Sequence, residues 1–353
     1  MKKFVVFSGF LGSGKTTTMM ALTKYYTGHF APASMISNDL GNGVTLADHR
    51  LALLSGCDAA EITDQCICYC HDVLTDKLDR AFAAGCELVV SDIPGFGVGA
   101  LEHVYHGLTE ELPGVYELGP FTVLVEPDTV ELLRSGADSD LNYIYHTQLA
   151  EADLIVLNKC DLLDAPQQEA DRAWLAEHYP EAQVLAISAK TLQGMEALSL
   201  ALKTGTASLR RPDIGYGGAE FRAAMGKLSG YYIQYRALVC CNDFDGTAYL
   251  EDMAKRVQAG IAAAGCEIPH MKLLAWEPEG DYGKVDLLGT SRPIEITHAF
   301  GRPCTELAVI LNASAACPGK TLDGIITGAV EEVSRPYQLE LTIFKKDCFG
   351  MGG

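Results

Sequence analysis

Short apolar runs bounded by polar loop residues recur through the first two hundred positions of this chain. Runs of four or five apolar residues of this kind are typical of strands that are buried on both faces of a parallel sheet. The pattern predicts such strands over 4–7, 87–91, 153–157 and 184–187, and a helix over 16–26 directly after the first strand. Strands that alternate with helices indicate an α/β fold with a mostly parallel sheet.

The pattern changes beyond residue 230, where longer strands and helices form two β-α-β units. The predicted order is strand 232–241, helix 247–264, strand 271–276, strand 306–312, helix 322–334 and strand 338–344. Two such units favour a ferredoxin-like α+β sandwich, and further strands around 284–300 leave its topology open.

A boundary separates these two patterns. Gly, Arg, Pro and Ser collect between positions 205 and 230, which indicates a linker. A length of 353 residues also favours two domains. We therefore predict a P-loop domain over 1–205, a linker over 206–230 and a C-terminal α+β domain over 231–353.

The loop after the first predicted strand matches the phosphate-binding pattern G-x-x-x-x-G-K-[ST]. Its glycines allow successive backbone N–H groups to surround an anion, and Lys15 adds a charge toward the outer phosphates. The hydroxyl of Thr16 is the expected Mg²⁺ ligand. The predicted phosphate-binding residues are Gly9, Gly12, Ser13, Gly14, Lys15, Thr16 and Thr17.

A second motif indicates which nucleotide binds. Asn158-Lys159-Cys160-Asp161 follows the strand 153–157, where ligands of open α/β sheets bind. A carboxylate at Asp161 can accept hydrogen bonds from the N1–H and the exocyclic amine of guanine, and adenine lacks that donor pair. The loop Ser188-Ala189-Lys190 follows the last predicted strand and resembles the base-supporting loop of GTP-binding proteins. The sequence therefore predicts GTP, bound by Asn158, Lys159, Asp161, Ser188, Ala189 and Lys190.

Between these motifs, the strand 87–91 leads to Asp92-Ile93-Pro94-Gly95. Asp92 is the predicted Mg²⁺ ligand opposite the phosphate loop, and Gly95 the predicted contact of the γ-phosphate. The next residue is Phe96, where Ras-like proteins have a glutamine that positions water. Because an apolar side chain cannot orient water, we expect slow hydrolysis that a partner, dimerisation or another residue accelerates.

A cluster of cysteines adds metal chemistry. The chain has twelve cysteines, and reduced thiols are expected. Cys66, Cys68 and Cys70 alternate within five residues and form a candidate soft site for Zn²⁺ or another transition metal. Alternatively, one or two of them pack as small apolar side chains. His71 is a candidate accessory ligand.

These motifs occur in the order seen in CobW-type GTPases, which are metal-handling relatives of the nickel-insertion GTPases. The resemblance rests on GFLGSGKTTT at 9–18, Asn38-Asp39-Leu40-Gly41, the cysteine segment and NKCDL at 158–162. It implies that Asp39 lies near Mg²⁺ or the attacking water. The family motif usually reads Gly-Cys-x-Cys-Cys, whereas here Gln65 replaces the glycine and Tyr69 separates the last two cysteines.

Charge and hydropathy limit the kinds of partner that this protein can have. The net charge of −19 disfavours nucleic acid, and no apolar run is long enough to span a bilayer. We expect a cytoplasmic protein that serves a client metalloprotein or cofactor enzyme, with a homodimer as an option.

The first hypothesis is a GTP-hydrolysing metal or metallocofactor chaperone in which Lys15, Asp39 and Asp92 act in catalysis. A second is a GTPase that gates a corrinoid-dependent or other cofactor enzyme, with structural cysteines. A third is a metal sensor or store without enzymatic activity.

Overall fold

The computed structural model describes residues 2–38, 40, 47–136, 141–240, 242–278 and 280–350. The chain divides into two compact units. The first comprises Met1–Leu40 and Ser55–Ala224, and the second comprises Gly41–Leu54 and Met225–Gly353. The boundaries predicted at 205 and 230 stay predictions. No pattern in the sequence indicated that Gly41–Leu54 groups with the second unit.

The strands and helices of the described residues are as follows. The strands are β1 (Lys3–Ser8), β2 (Ala33–Asn38), β3 (Ala59–Ile62), β4 (Leu88–Asp92), β5 (Glu117–Leu118), β6 (Thr122–Val125), β7 (Leu154–Leu157), β8 (Gln183–Ala186), β9 (Ser229–Val239), β10 (Glu267–Trp276), β11 (Tyr282–Leu287), β12 (Glu295–His298), β13 (Glu306–Ala316) and β14 (Leu339–Gly350). The helices are α1 (Lys15–His29), α2 (Ala47–Leu54), α3 (His71–Ala83), α4 (Gly107–Glu111), α5 (Pro127–Ser135), α6 (Asn142–Glu151), α7 (Ala165–His178), α8 (Met195–Thr204), α9 (Ala219–Met225), α10 (Gly246–Ala263) and α11 (Gly319–Ser334). None of these helices combines the length and the hydropathy that crossing a bilayer requires.

The first unit is built on a parallel sheet with the strand order β3-β2-β4-β1-β6-β7-β8, and β5 also pairs with β1. Every pairing in it is parallel. The predicted α/β class is therefore confirmed. Because the strands are parallel, the residues that follow β1, β2, β4, β7 and β8 lie along one edge of the sheet.

The second unit confirms the predicted ferredoxin-like α+β fold. Its six strands are all antiparallel and follow the order β12-β11-β10-β13-β9-β14. The four strands β10-β13-β9-β14 lie in the order that a β-α-β-β-α-β fold requires: each helix connects two strands that are separated by one other strand. The two additional strands, β11 and β12, extend the sheet beyond β10. The core contains alternate residues of β9, among them Tyr231 and Tyr235, together with residues of α10 and α11.

Helix α2 packs in the second unit although its sequence lies between β2 and β3. The Nζ atom of Lys272 on β10 contacts the carboxylate of Asp48 at 2.5 Å, and Asn312 Oδ1 on β13 accepts a hydrogen bond from Ala47 N at 3.2 Å. The guanidinium of Arg50 lies 4.7 Å from the ring centre of Trp276. Polar and cation–π contacts therefore help to attach this eight-residue helix, which also buries Ala47, Leu51 and Ala52.

A π-helix over Leu101–His106 places Tyr105 beneath the central strand. Tyr105 is fully buried, and its hydroxyl accepts a hydrogen bond from Val6 N at 2.9 Å. The π-helix thereby supplies a partner for a backbone donor of β1, the strand that precedes the phosphate loop.

Helix α6 holds the segment that follows β4. The Glu151 carboxylate accepts hydrogen bonds from Gly99 N at 2.9 Å and Leu101 N at 3.0 Å. Gln148 Nε2 donates to Gly95 O at 3.0 Å and Gly97 O at 2.9 Å. Burial raises the pKa of Glu151 to about 7, against the opposing effect of the two N–H donors and of the Arg210 charge.

Removing the Tyr105 hydroxyl should destabilise the first unit. In Tyr105→Phe, Val6 N–H stays buried without this partner, so we expect a loss of about 1–3 kcal/mol in the free energy of unfolding. Urea unfolding followed by Trp174 fluorescence in a Trp276→Phe background measures this. Tyr26→Phe is the matched control, because that buried hydroxyl has no hydrogen-bond partner among the described residues. Equal stability of the two variants would contradict the prediction.

The buried carboxyl of Glu151 should make the stability of the first unit depend on pH. Its pKa is raised in the folded state, so its contribution is complete below the unfolded pKa, near 4.5, and is lost as pH rises through about 7. In that window the free energy of unfolding should fall at up to about 1.4 kcal/mol per pH unit. In Glu151→Gln this slope should be absent, and it should persist in the exposed control Glu110→Gln. The same unfolding assay at several pH values measures it.

Candidate nucleotide and metal site

The phosphate loop has backbone angles and close approaches that require glycine. Gly9 has φ +126° and Gly14 has φ +89°, both in the region that L side chains rarely adopt. A Cβ on Gly9 would lie 2.3 Å from Leu124 O, and one on Gly14 would lie 2.3 Å from Asn158 Nδ2. A side chain at either position would therefore force the loop to move.

The polar groups of the same loop are suited to an anion. The Ser13 hydroxyl oxygen is buried and has no hydrogen-bond partner among the described residues. Lys15 Nζ lies 2.5 Å from Gly9 O and 3.4 Å from Phe10 O, so its charge is held within the loop. Thr16 is buried in the first turn of α1, and Thr17 is exposed. A polyphosphate fits this cradle, because it would offer acceptors to Ser13, Lys15 and the loop amides.

Asn158 connects three of the predicted nucleotide-binding segments. Its Nδ2 donates to Ser13 O at 2.9 Å, and its Oδ1 accepts from Ala189 N at 3.1 Å. The structure thus brings the phosphate loop, the Asn-Lys-x-Asp motif and the loop containing Ser188 and Ala189 together.

The neighbours of Asn158 complete this end of the site. Lys159 adopts φ +61°, and its Nζ lies 2.6 Å from Glu126 Oε2. Asp161 lies in a single 3₁₀ turn and is exposed, as is Lys190. The Asp161 carboxylate is thus open to solvent in the segment that Asn158 ties to the phosphate loop.

Asp92 and Gly95 lie beside the phosphate loop. Asp92 ends β4 opposite Phe7 of β1, two residues before Gly9. A Cβ on Gly95 would lie 2.6 Å from Leu11 Cδ2 and 3.1 Å from Leu11 N, so this backbone packs directly against the loop. The Asp92 carboxylate and the Thr16 hydroxyl are oxygen donors of the kind that Mg²⁺ prefers, at the ends of adjoining segments.

Phe96 has an apolar environment. It is buried, and its ring makes an edge-to-face contact with Phe10 at 6.2 Å between ring centres. The nearby amide Nε2 of Gln148 donates to two backbone carbonyls of the same loop. Phe96 carries no group that could orient water, and slow hydrolysis stays a prediction from the sequence.

Asn38 links the cysteine segment to Asp92. Its backbone N–H donates to Asp92 Oδ1 at 2.9 Å. Its side chain donates from Nδ2 to Ile62 O at 3.1 Å and Gln65 O at 2.7 Å, and its Oδ1 accepts from Ile67 N at 3.0 Å. Asn38 is 2% exposed, so these bonds are shielded from water.

The three cysteines are buried between β3 and α3. Cys66 Sγ lies 2.9 Å from Cys68 Sγ, and Cys70 Sγ lies 3.3 Å from Cys66 O. The contact with Cys66, together with burial, raises the pKa of the Cys68 thiol well above its usual value. Burial and the neighbouring Cys66 raise the pKa of Cys70 to about 11. At neutral pH a metal ion must therefore displace protons from these thiols.

The described residues contain no ready-made cluster of three or more His, Cys, Asp or Glu side chains that could hold a metal ion. Cys66, Cys68 and Cys70 are close in space, but their sulfurs would have to rearrange to surround a metal ion. The two ring nitrogens of His71 lie 3.0 Å from the Glu111 carboxylate and 2.7 Å from His103 O. Both ring nitrogens of His71, the candidate accessory ligand, therefore already have partners within the protein.

Sequence reasoning missed several residues at this site. The bridging contacts of Asn38, the clamp by Gln148 and Glu151, and the Glu126 partner of Lys159 depend on contacts between distant segments. Asn38 belongs to the Asn38-Asp39-Leu40-Gly41 motif that carries the resemblance, but nothing in that motif indicates its contacts. Asp39 lies outside the described residues.

Comparison with known proteins gives the family. Residues 3–186 match the model of the CobW/HypB/UreG nucleotide-binding domain. No curated protein matches the chain by sequence. Similar solved structures include the hydrogenase maturation factor HypB from Archaeoglobus fulgidus, at 20% identity over 57% of this chain and 88% of that chain, with a TM-score of 0.38. HypB from Helicobacter pylori in complex with nickel is 18% identical over 58% of this chain and 89% of that chain, with a TM-score of 0.42.

Zn(II)-bound YjiA GTPase from E. coli is 14% identical over 93% of this chain and 98% of that chain, with a TM-score of 0.37. The family model alone spans more than half of the 353 residues. This chain therefore belongs to the CobW/HypB/UreG family of nucleotide-binding proteins.

Proposed function

We propose that this protein is a GTP-hydrolysing chaperone for a metal ion or metallocofactor, in which nucleotide state sets the affinity of the cysteine segment for its cargo. The observation that carries the proposal is the position of Asn38. One buried residue holds the Asp92 carboxylate with its backbone, and its side chain holds Ile62 O at the end of β3 and two backbone groups of the cysteine segment.

Each residue of the nucleotide site has one proposed role. The loop amides, Ser13 and Lys15 bind the phosphates, and Asp161 accepts from the guanine edge. Thr16 and Asp92 hold Mg²⁺, with Asp39 nearby as the family resemblance implies. Bound Mg²⁺ supplies positive charge to the β- and γ-phosphate oxygens.

The coupling runs from Asp92 through Asn38. Asp92 would help to hold Mg²⁺, and its Oδ1 accepts from Asn38 N, so a shift of this carboxylate on nucleotide binding would be passed to the end of β2. The side chain of Asn38 moves with its backbone, and it is bonded to Gln65 O and Ile67 N on either side of Cys66. The arrangement of the first cysteine therefore depends on whether GTP and Mg²⁺ are bound.

The cargo end rests on three soft sulfur donors. Cys66, Cys68 and Cys70 fit Zn²⁺ or another thiophilic ion by donor chemistry, and three sulfurs leave one position open for transfer to a client metalloprotein. HypB from H. pylori has been solved with nickel and YjiA with zinc. Metal analysis of the protein purified under reducing conditions identifies the ion.

The burial of the cysteines also favours a second candidate, a GTPase that gates a cofactor enzyme with the thiols packed as structural side chains. Cys66, Cys68 and Cys70 are 9%, 8% and 4% exposed and belong to the core of the first unit. The double variant Cys66→Ser/Cys68→Ser discriminates the two. Loss of metal binding supports the chaperone, and unchanged partner-stimulated turnover supports the gate. Absence of any GTP turnover, alone or with a client, would leave a sensor or store.

Asp161→Asn should change the base preference. The amide still accepts from N1–H but offers a donor where the guanine amine needs an acceptor, whereas xanthine has a carbonyl there. We expect GTP affinity to fall about tenfold to a thousandfold, corresponding to about 1.5–4 kcal/mol, and xanthosine triphosphate to bind better than GTP. Calorimetric titration with non-hydrolysable analogues measures both.

The matched control is Asp164→Asn, which removes the same charge three residues away at the N-cap of α7. Asparagine caps a helix nearly as well as aspartate, so this variant should keep its GTP preference. A preference of the unmodified protein for adenine nucleotides would contradict the assignment of Asp161.

Asn38→Ala should uncouple metal from nucleotide. In the unmodified protein, metal affinity should differ with and without GTP analogue by about 5- to 150-fold, and analogue affinity should differ by the same factor with and without metal. The variant keeps the hydrogen bond from the backbone N–H of residue 38 to Asp92, so it should bind the analogue normally. The ratio of metal affinities with and without analogue should fall toward one. Competition titrations with Zn²⁺ measure it.

Ser37→Ala is the control, because this neighbouring buried hydroxyl has no hydrogen-bond partner among the described residues. Normal analogue affinity shows that Asn38→Ala is folded; if it is not, Asn38→Ser serves as the milder variant. If the folded Asn38 variant, whether Asn38→Ala or Asn38→Ser, keeps the coupling factor of the unmodified protein, Asn38 does not couple the nucleotide to the metal.

A further inference from the structure

Tyr69, the residue that separates Cys68 from Cys70, is 64% exposed although both neighbours are buried. Its hydroxyl lies 2.5 Å from the hydroxyl of Tyr216, which is 147 positions away in the sequence. Tyr216 is itself 43% exposed. This contact joins the cysteine segment to the stretch that leads out of the first unit.

Tyr216 belongs to a strap, defined here as residues 206–218, which lies along the first unit. The strap is attached at several further points. Ala207 N donates to Leu118 O at 3.0 Å, Tyr143 Oη donates to Ile214 O at 2.6 Å, and Arg211 pairs with Glu102.

The ring of Tyr216 also touches the segment that follows Gly95. It lies 4.9 Å from the His103 ring, centre to centre, and a Cβ on Gly99 would approach Tyr216 Cδ2 to 3.0 Å. Tyr216 therefore lies where the cysteine segment and the post-Gly95 segment meet.

Metal loading must rearrange the segment that carries Tyr69. Sulfurs of a tetrahedral site with Zn–S bonds of about 2.3 Å lie about 3.8 Å apart. Cys66 Sγ and Cys68 Sγ are at 2.9 Å, so they must separate. Cys70 Sγ must also leave Cys66 O, the carbonyl that accepts from Tyr69 N at 2.9 Å. These changes act on the backbone on both sides of Tyr69.

We propose that Tyr69 is a positioning residue of the cysteine segment, and that its hydrogen bond to Tyr216 closes the strap in the metal-free protein and breaks when the cysteines take up metal. The inference rests on the proposed metal site. The hydrogen bond holds the cysteine segment in its metal-free arrangement, so it opposes loading. By linkage, freeing the strap must favour metal binding by the same factor by which metal favours the free strap.

The test uses the full chain under reducing conditions, with Zn²⁺ as the probe. Tyr69→Phe and Tyr216→Phe each remove one hydroxyl of the pair. Each should bind Zn²⁺ about two- to fivefold more tightly, as expected for the loss of one partly exposed hydrogen bond. The double variant should add nothing to either single change. Tyr116→Phe is the matched control, since its hydroxyl bonds Asp79 elsewhere on the same unit.

A second readout follows the strap itself. Hydrogen–deuterium exchange of peptides covering 206–218 should accelerate when Zn²⁺ binds the unmodified protein. In Tyr216→Phe the exchange should be fast without metal and change little with it, while Tyr116→Phe should behave like the unmodified protein. Strap exchange that is indifferent to bound Zn²⁺, or tyrosine variants that bind Zn²⁺ equally or more weakly, would overturn the proposal.

The variant Cys66→Ser/Cys68→Ser separates this inference from the function on which it rests. If it abolishes Zn²⁺ binding while Zn²⁺ leaves the strap of the unmodified protein unchanged, the chaperone assignment stands and the strap proposal alone is wrong. If it binds Zn²⁺ as tightly as the unmodified protein, the cysteine site is wrong and the strap proposal is wrong with it.

Discussion

The parallel arrangement of the first sheet is the constraint on which the candidate site depends. Parallel strands deliver their carboxyl ends to one edge, and here those ends carry the phosphate loop, Asn38, Asp92 and Asn158. Two asparagines then bind these ends to one another. Asn158 connects the phosphate loop to the loop containing Ser188 and Ala189, and Asn38 connects Asp92 to the cysteine segment. A buried amide suits this role because it can donate and accept at once.

The features that could be predicted from sequence are those encoded within a few consecutive residues. The phosphate loop, the Asn-Lys-x-Asp motif and the two β-α-β units each have a local signature, and the predicted fold class was confirmed. The strand β2 was missed because Ser and Asn interrupt its apolar residues. The helix α3 was missed although Leu74, Leu78 and Phe82 recur at a helical spacing. The π-helix over Leu101–His106 has no recognised local signature.

Contacts between distant segments were also beyond sequence reasoning. The spacing of Gln148 and Glu151 from Asp92 carries no information until α6 packs beside the loop that they hold. The same is true of Tyr69 and Tyr216. The sequence shows that Tyr69 separates the last two cysteines, but it does not show that the Tyr69 hydroxyl is hydrogen-bonded to Tyr216. Such pairs are set by tertiary packing, which periodicity and spacing do not report.

Helix α2 has a consequence for how this protein can be divided. Its eight residues are too few to stay helical in water by themselves, so its structure depends on β10 and β13. In sequence, however, it interrupts the first unit between Asn38 and β3. The first unit is thus a discontinuous domain. A fragment that stops near residue 224 would carry an unsupported insertion between two of its own strands, so truncation is a poor way to isolate the chemistry of the nucleotide-binding unit.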